Sequence, residues 1–495
     1  MSRRNEVVLI LTICLALAIT GCTSSSNSCY APAPTGSYSN SSFSGLYAFS
    51  LMGANSSGFF SAAGSLQADG AGNITSGVID FNGVSGNFTN ASISGTYAIT
   101  ADGRGLATLN SSFTTIGLDF VLVANGTALI IRFDQIGTAS GTMSPQSPSA
   151  FSATSLTGPL AFGLNGVDES YALESAAGNF STDGTSMITG GVLDVNDFGT
   201  ANLSQAVTGS FASPSSTSGR GTLQMIAVTP SSTQTLNFAY YILDATHVKL
   251  IEIDTPGSAP ILAGDGFIQS SSISNASFSG PYAFTLGGAT SSSTPYVAGG
   301  IITADGAGNI EAGGVMDVNN NGAVNQSLST SGNYSLAGNG RGTLALTSTT
   351  GTSNFVIYPT STSGVLMLEI DTSPLLSGSA YSQQTSGFSA STLNGLYGYN
   401  SSGVASGSEI DSIAQFTANG SGVLKGTVDI NAPGSLVNGS ALNGTYSMTS
   451  NGRGNATLNS CTASQNFVVY GINSSQALLL EIDSNPITLG VFAQQ

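Results

Sequence analysis

Apolar residues along this chain come in stretches of five to eight, alternating with polar ones or running continuously. Asp-Gly, Asn-Gly and Ser-Gly pairs separate the stretches. A period of two predicts β-strands, and tight turns between them predict antiparallel hairpins. No stretch keeps a 3.6-residue period between helix caps. From Phe43 onward the whole pattern recurs four times. Each copy opens alike, at Phe43–Phe49, Leu156–Phe162, Phe278–Phe284 and Leu393–Tyr399, and continues into a Gly-rich turn such as Ala68–Asn73. An Asp-x-Asn element follows (Asp80/Asn82, Asp194/Asn196, Asp317/Asn319, Asp429/Asn431), then an Arg-Gly turn at Arg104, Arg220, Arg341 and Arg453. The turn arginines are 116, 121 and 112 residues apart. That is a domain-sized unit rather than a short solenoid repeat.

We therefore expect an all-β protein of four tandem antiparallel domains, 43–149, 150–272, 273–388 and 389–495, with about eight strands each. Small meander barrels are the first expectation and β-sandwiches the alternative. Closure into barrels removes edges that a chain poor in charge has little means of protecting. Taking Asn125-Gly126 as a two-residue turn places Asp119 opposite Arg132. The other copies offer Asn237/Glu252, Asn354/Glu369 and Asn466/Glu481 at the same place, which reads as a cross-strand architectural contact.

The N-terminus has a different character. Arg3 and Arg4 precede an uncharged apolar run, Val7 to Ile19, of thirteen residues, too short to span a membrane. It ends in Leu17-Ala18-Ile19-Thr20-Gly21-Cys22 and a polar tail. This resembles the lipobox of bacterial lipoproteins, with Ile19 where Leu is most common. The resemblance implies a signal peptide over 1–21, lipidation of Cys22, a Ser/Pro-rich tether over 22–42, and a membrane partner reached through the lipid. Thr23 after the cysteine resembles the signal for sorting to the outer membrane. The alternative is an ordinary secretory signal that leaves Cys22 a free thiol. In general plan the chain resembles repeat-containing cell-surface lipoproteins of bacteria. After lipidation only Cys29 and Cys461 remain, as a disulfide permitted outside the cytoplasm or as two thiols.

Composition narrows the chemistry. Nine Lys+Arg against 26 Asp+Glu give a net charge of −17, which argues against nucleic acid as a partner. His247 is the single histidine and is expected to face solvent. Asp317, Asn319 and Asn321 match the start of an EF-hand loop, but Leu328 stands where the bidentate Glu belongs. Ca²⁺ is thus the one cofactor candidate, and turn structure explains the same residues. The four turn arginines offer contact to an anionic or sugar ligand, or merely solubilise hairpin tips. Glu252/Asp254, Glu369/Asp371 and Glu481/Asp483 have glycosidase-like spacing, yet any strand ending in two acids has it. Asp168, Glu169 and Glu174 occur in the second copy alone. The aromatics Tyr47, Tyr97, Phe211, Tyr282, Tyr334, Tyr397 and Tyr446 read as core. No enzyme is expected. The functional expectation is multivalent adhesion to polysaccharide or envelope components, with a small apolar ligand carrier or a structural spacer as alternatives, and an extracellular hydrolase behind them.

Overall fold

The structure, a computed structural model, describes residues 31, 33–229, 233–362, 364–432 and 434–495. In the first domain the strands are β1 (Ser44–Asn55), β2 (Gly58–Asp69), β3 (Asn73–Gly83), β4 (Gly86–Ile99), β5 (Arg104–Ser111), β6 (Thr115–Leu122), β7 (Ala128–Arg132) and β8 (Gly137–Pro145). Each pairs antiparallel with the next. β8 returns to β1 in register from Tyr47 opposite Pro145 to Asn55 opposite Gly137. The same closed eight-stranded meander recurs over 158–268, 279–382 and 394–494. The domains are barrels, not sandwiches.

Their interiors are filled. Phe43, Tyr47, Phe49, Phe60, Phe120 and Ile130 pack with other apolar side chains inside the first barrel, and equivalent sets fill the other three. The repeated aromatics are all buried, as their place beside glycine predicts. The first barrel needs glycine at one such place. A Cβ on Gly64 would meet the Phe49 ring at 2.6 Å, and Gly178 stands in the same relation to Phe162 at 2.7 Å. A short 3₁₀ turn ahead of each barrel (Asn40–Ser42, Ala153–Leu156, Asn275–Ser277, Ala390–Thr392) carries an apolar plug to one end. Tyr97, Tyr334 and Tyr446 donate their hydroxyls to the carbonyls of Phe43, Phe278 and Leu393 at 2.7, 2.6 and 2.6 Å, fastening the plug.

The expected hairpin register is corrected by one residue. The turn after β6 spans five residues, with Leu122 opposite Ala128, so Arg132 faces Leu118 and Asp119 faces Ile131. Likewise Glu252, Glu369 and Glu481 lie opposite Phe238, Phe355 and Phe467. The amides instead bond the acid two residues further on. Asn237, Asn354 and Asn466 donate through Nδ2 to Asp254, Asp371 and Asp483 at 2.7, 2.9 and 2.9 Å. A one-residue slip exchanges the two faces of a strand. It therefore moves the glutamates onto the core side.

Candidate functional site: the junctions between barrels

Strands with one buried face should alternate, but β6, β7 and their counterparts are apolar on both faces (Phe238–Leu243 is continuous). The outer face is covered by the neighbouring barrel. Ala48 and Ala63 of the first barrel pack against Ala239, Tyr241, Ile251 and Ala263 of the second. Matching clusters join the second to the third and the third to the fourth. A fourth cluster, Val121, Val123, Leu129 and Ile131 against Ile413, joins the first barrel to the last. One head-to-tail interface is thus used four times and closes into a ring.

The Asp-x-Asn elements and turn arginines are the polar part of this interface. Each Asp sits at a bulge in the pairing of its strand, between Ile79 and Phe81 in the first barrel and at the equivalent break in the others. The bulge re-aims its carboxylate out of the barrel. Ten residues on, a residue at positive φ (Asn90, Ser204, Ser327, Gly439) donates its backbone N–H to that carboxylate. Arg220 of the second barrel then grips Asp80 of the first through Nε at 2.7 Å and Nη2 at 2.8 Å. Arg341 grips Asp194 at 2.7 and 2.9 Å, and Arg453 grips Asp317 at 2.9 and 2.6 Å. The buried hydroxyls of Tyr241, Tyr358 and Tyr470 bond the same three carboxylates. Burial and the neighbouring Asp push all three phenols well above their ordinary range, so they stay donors. The asparagines complete the clasp. Asn82, Asn196 and Asn319 donate to the backbone carbonyls of Glu252, Glu369 and Glu481 across the junction at 3.0, 2.8 and 2.9 Å.

The closing junction is built differently. Arg104 reaches Asp429 with one nitrogen, at 2.8 Å, and turns its Nε to Asp102. Asn431 donates to the carbonyl of Arg132. No tyrosine serves here, since Val121 holds that position; Asp119 lies beside Asp429 instead. Burial, then the Asp429 charge, holds the Asp119 carboxyl well above the usual carboxylate range, and Arg104 only partly offsets them. Asp119 in the closed ring therefore keeps a proton that it would release in solvent. Stability from this contact is complete at acid pH and is lost as pH rises. We expect the radius of gyration to grow as pH rises and this junction opens, measured by small-angle X-ray scattering. Asp119→Asn should stay compact throughout.

Several residues stand elsewhere than expected. Arg104, Arg220, Arg341 and Arg453 are not free hairpin tips, because each is spent on an Asp of a neighbouring barrel. Asp317 and Asn319 belong to the clasp, and Asn321 is the positive-φ residue of the adjoining turn, so the three do not converge on a cation. Among the described residues no group of three or more His, Cys, Asp or Glu is placed to hold a metal. His247 does not simply face solvent. Its Nε2 meets Asp265 at 2.7 Å and its ring stacks on Phe267, while fully buried Lys249 crosses to Ser50 and Thr142 of the first barrel. Glu252, Glu369 and Glu481 are fully buried, and burial pushes them to about 9, 8 and 8. Cys461 is disulfide-bonded; Cys29, like Cys22 and the lipobox, lies outside the described residues. Ala31 donates to the carbonyl of Gly439 in the fourth barrel and Tyr38 to that of Ala101 in the first, so the tether crosses the closing junction.

No family model and no curated protein matches the chain. Among solved structures, the translocation pore of the P pilus usher aligns over 90% of this chain and 98% of its own, at 8% identity and a TM-score of 0.14. A likeness that weak carries no argument. No helix among the described residues is long and apolar enough to cross a membrane.

Proposed function

We propose that this chain is a lipid-anchored, non-enzymatic surface protein of the bacterial outer membrane. Its ring would present four copies of one polar face to polysaccharide or another envelope component. The observation that carries this reading is the stripe left outside the junctions. Over the later part of β4 and of its counterparts (Thr200–Phe211, Ala323–Leu336, Ser435–Met448) hydroxyls and amides are exposed: Ser92, Ser94 and Thr96; Thr208 and Ser210; Asn333 and Ser335; Asn443, Thr445 and Ser447, while exposed Phe88 and Leu203 lie nearer the start of their strands. Such groups hydrogen-bond sugars weakly, and a ring holds four of them in fixed relation. Linked weak sites gain about 10²–10⁴ in avidity where the geometry allows simultaneous engagement.

The filled interiors weigh against a small apolar ligand carried inside each barrel. The carboxylates with glycosidase-like spacing are occupied by core burial and by asparagine, which weighs against a hydrolase. The reading is tested by binding the whole chain to immobilised envelope polysaccharides, with the stripe replaced by Ala in one, two and then four barrels. Affinity should fall stepwise, by about 10²-fold or more in total. Complete loss on altering one barrel, or no loss on altering four, would overturn multivalent binding.

A further inference from the structure

One barrel mouth departs from the fourfold pattern. Phe60 and Tyr296 pack on the cores of the first and third barrels, and Ile410 packs on that of the fourth. Counted from Gly64, Gly178 and Gly300, which stand at equivalent places on the second strands, the second barrel has Glu174 there. Its cross-strand partner is Asp197, which puts two like charges on one face. Directly opposed like charges destabilise a sheet. Glu174 is 6% exposed, and among the described residues its carboxylate has no hydrogen-bond donor. It borders a cavity of about 380 Å³ together with Glu169, Asp197, Asn202, Gln205 and Gln234. Asp168 adds a fourth carboxyl, in hydrogen-bonding reach of Asp197. Among the described residues the charges that act on Glu174 and Asp197 are acids, and no basic side chain offsets them.

A buried carboxylate that no donor meets among the described residues, facing a cavity lined by further carboxyls and by neutral amides, lacks a donor carrying positive charge. We propose that this mouth binds an organic cation whose ammonium or guanidinium group enters to meet Glu174 and Asp197. A bare metal ion fits less well, because among the described residues no three acidic groups are placed to hold one. An ammonium or guanidinium spreads several N–H donors over separated acceptors, and the amide oxygens of Asn202, Gln205 and Gln234 can take the remainder. The cavity is within the size range of small-molecule sites.

Burial, then Asp197, Glu169 and Asp168, push Glu174 to about 8, so at neutral pH the empty cup retains a proton there. An entering cation displaces that proton to solvent. Uptake is therefore coupled to proton release and tightens as pH rises from 6 to 9.

The test is calorimetric titration of the whole chain with putrescine at pH 7, in two buffers of different ionisation enthalpy. Saturable one-to-one binding with net proton release is expected, at least tenfold weaker in Glu174→Gln. Glu311→Gln, an exposed acid outside the cup, should leave the affinity unchanged. Glu174→Gln should also melt higher than the native chain at pH 9, since it removes an opposed charge; if it fails to fold, Asp197→Asn carries the same comparison. Absence of saturable heat, unchanged native affinity in Glu174→Gln and Asp197→Asn, or equal weakening by Glu311→Gln would overturn the site. One-to-one Ca²⁺ uptake tighter than putrescine and abolished by Glu174→Gln would overturn the organic cation.

Discussion

Replacing Glu252, Glu369 and Glu481 together by Gln should make the protein more stable than the native chain at pH 8 and flatten its dependence on pH. The three side chains are fully buried opposite core phenylalanines, and burial is the largest cause that lifts them to about 9, 8 and 8 from an ordinary 4.5. The sign follows from which state holds the proton. Between about pH 4.5 and pH 8 the folded chain keeps a proton on each that the unfolded chain has released. Stability is therefore fully present below the ordinary pKa and is lost as pH rises toward the folded values. Each such group contributes a slope of about 1.4 kcal/mol per pH unit, so three approach about 4 kcal/mol per unit through this window. Glutamine keeps the shape and an acceptor oxygen for Asn82, which donates to Glu252 Oε2 at 2.7 Å, but has no charge to bury. Urea denaturation at pH 5, 7 and 8.5 measures both slopes. A native midpoint that is flat or rises with pH would contradict the assignment.

The barrels were legible in the sequence because their cause is local. Period-two apolarity, glycine turns and four copies of one pattern determine strands and their number, and closure follows from having edges to hide. The junctions were less legible because their partners lie more than a hundred residues apart. Asp80 and Arg220, or Asp429 and Arg104, carry no short-range mark of pairing. One signal was present: stretches such as Phe238–Leu243 are apolar on both faces, which a barrel alone in water has no reason to be. Asn90, Ser204, Ser327 and Gly439 carry no mark in the sequence because their role depends on backbone angle, not residue type. The register slip at the hairpins has the same origin. A five-residue turn after β6 and a two-residue turn differ little in sequence, yet the difference sends Glu252 inward and leaves Asp119 on the outer face.

The ring itself makes the second large effect. Arg453→Ala should cost about 3–5 kcal/mol, as breaking a buried ion pair from one side does, because it leaves Asp317 buried with its charge. The side chain of Asp317 is fully buried, and the guanidinium supplies two of its four donors; Tyr470 and the Ser327 N–H remain. Arg453→Lys should recover only part of the loss, since a single ammonium cannot reproduce the two-nitrogen grip. The double variant Asp317→Asn, Arg453→Gln should cost less than Arg453→Ala alone, because no uncompensated charge remains. Denaturant midpoints of the native chain, the two single variants Asp317→Asn and Arg453→Gln, and the double form a closed cycle. Strong coupling in that cycle identifies the pair as the clasp between the third and fourth barrels. Additive losses would mean that the apolar cluster of Val468, Tyr470 and Leu480 against Val297 and Ile301 holds this junction unaided.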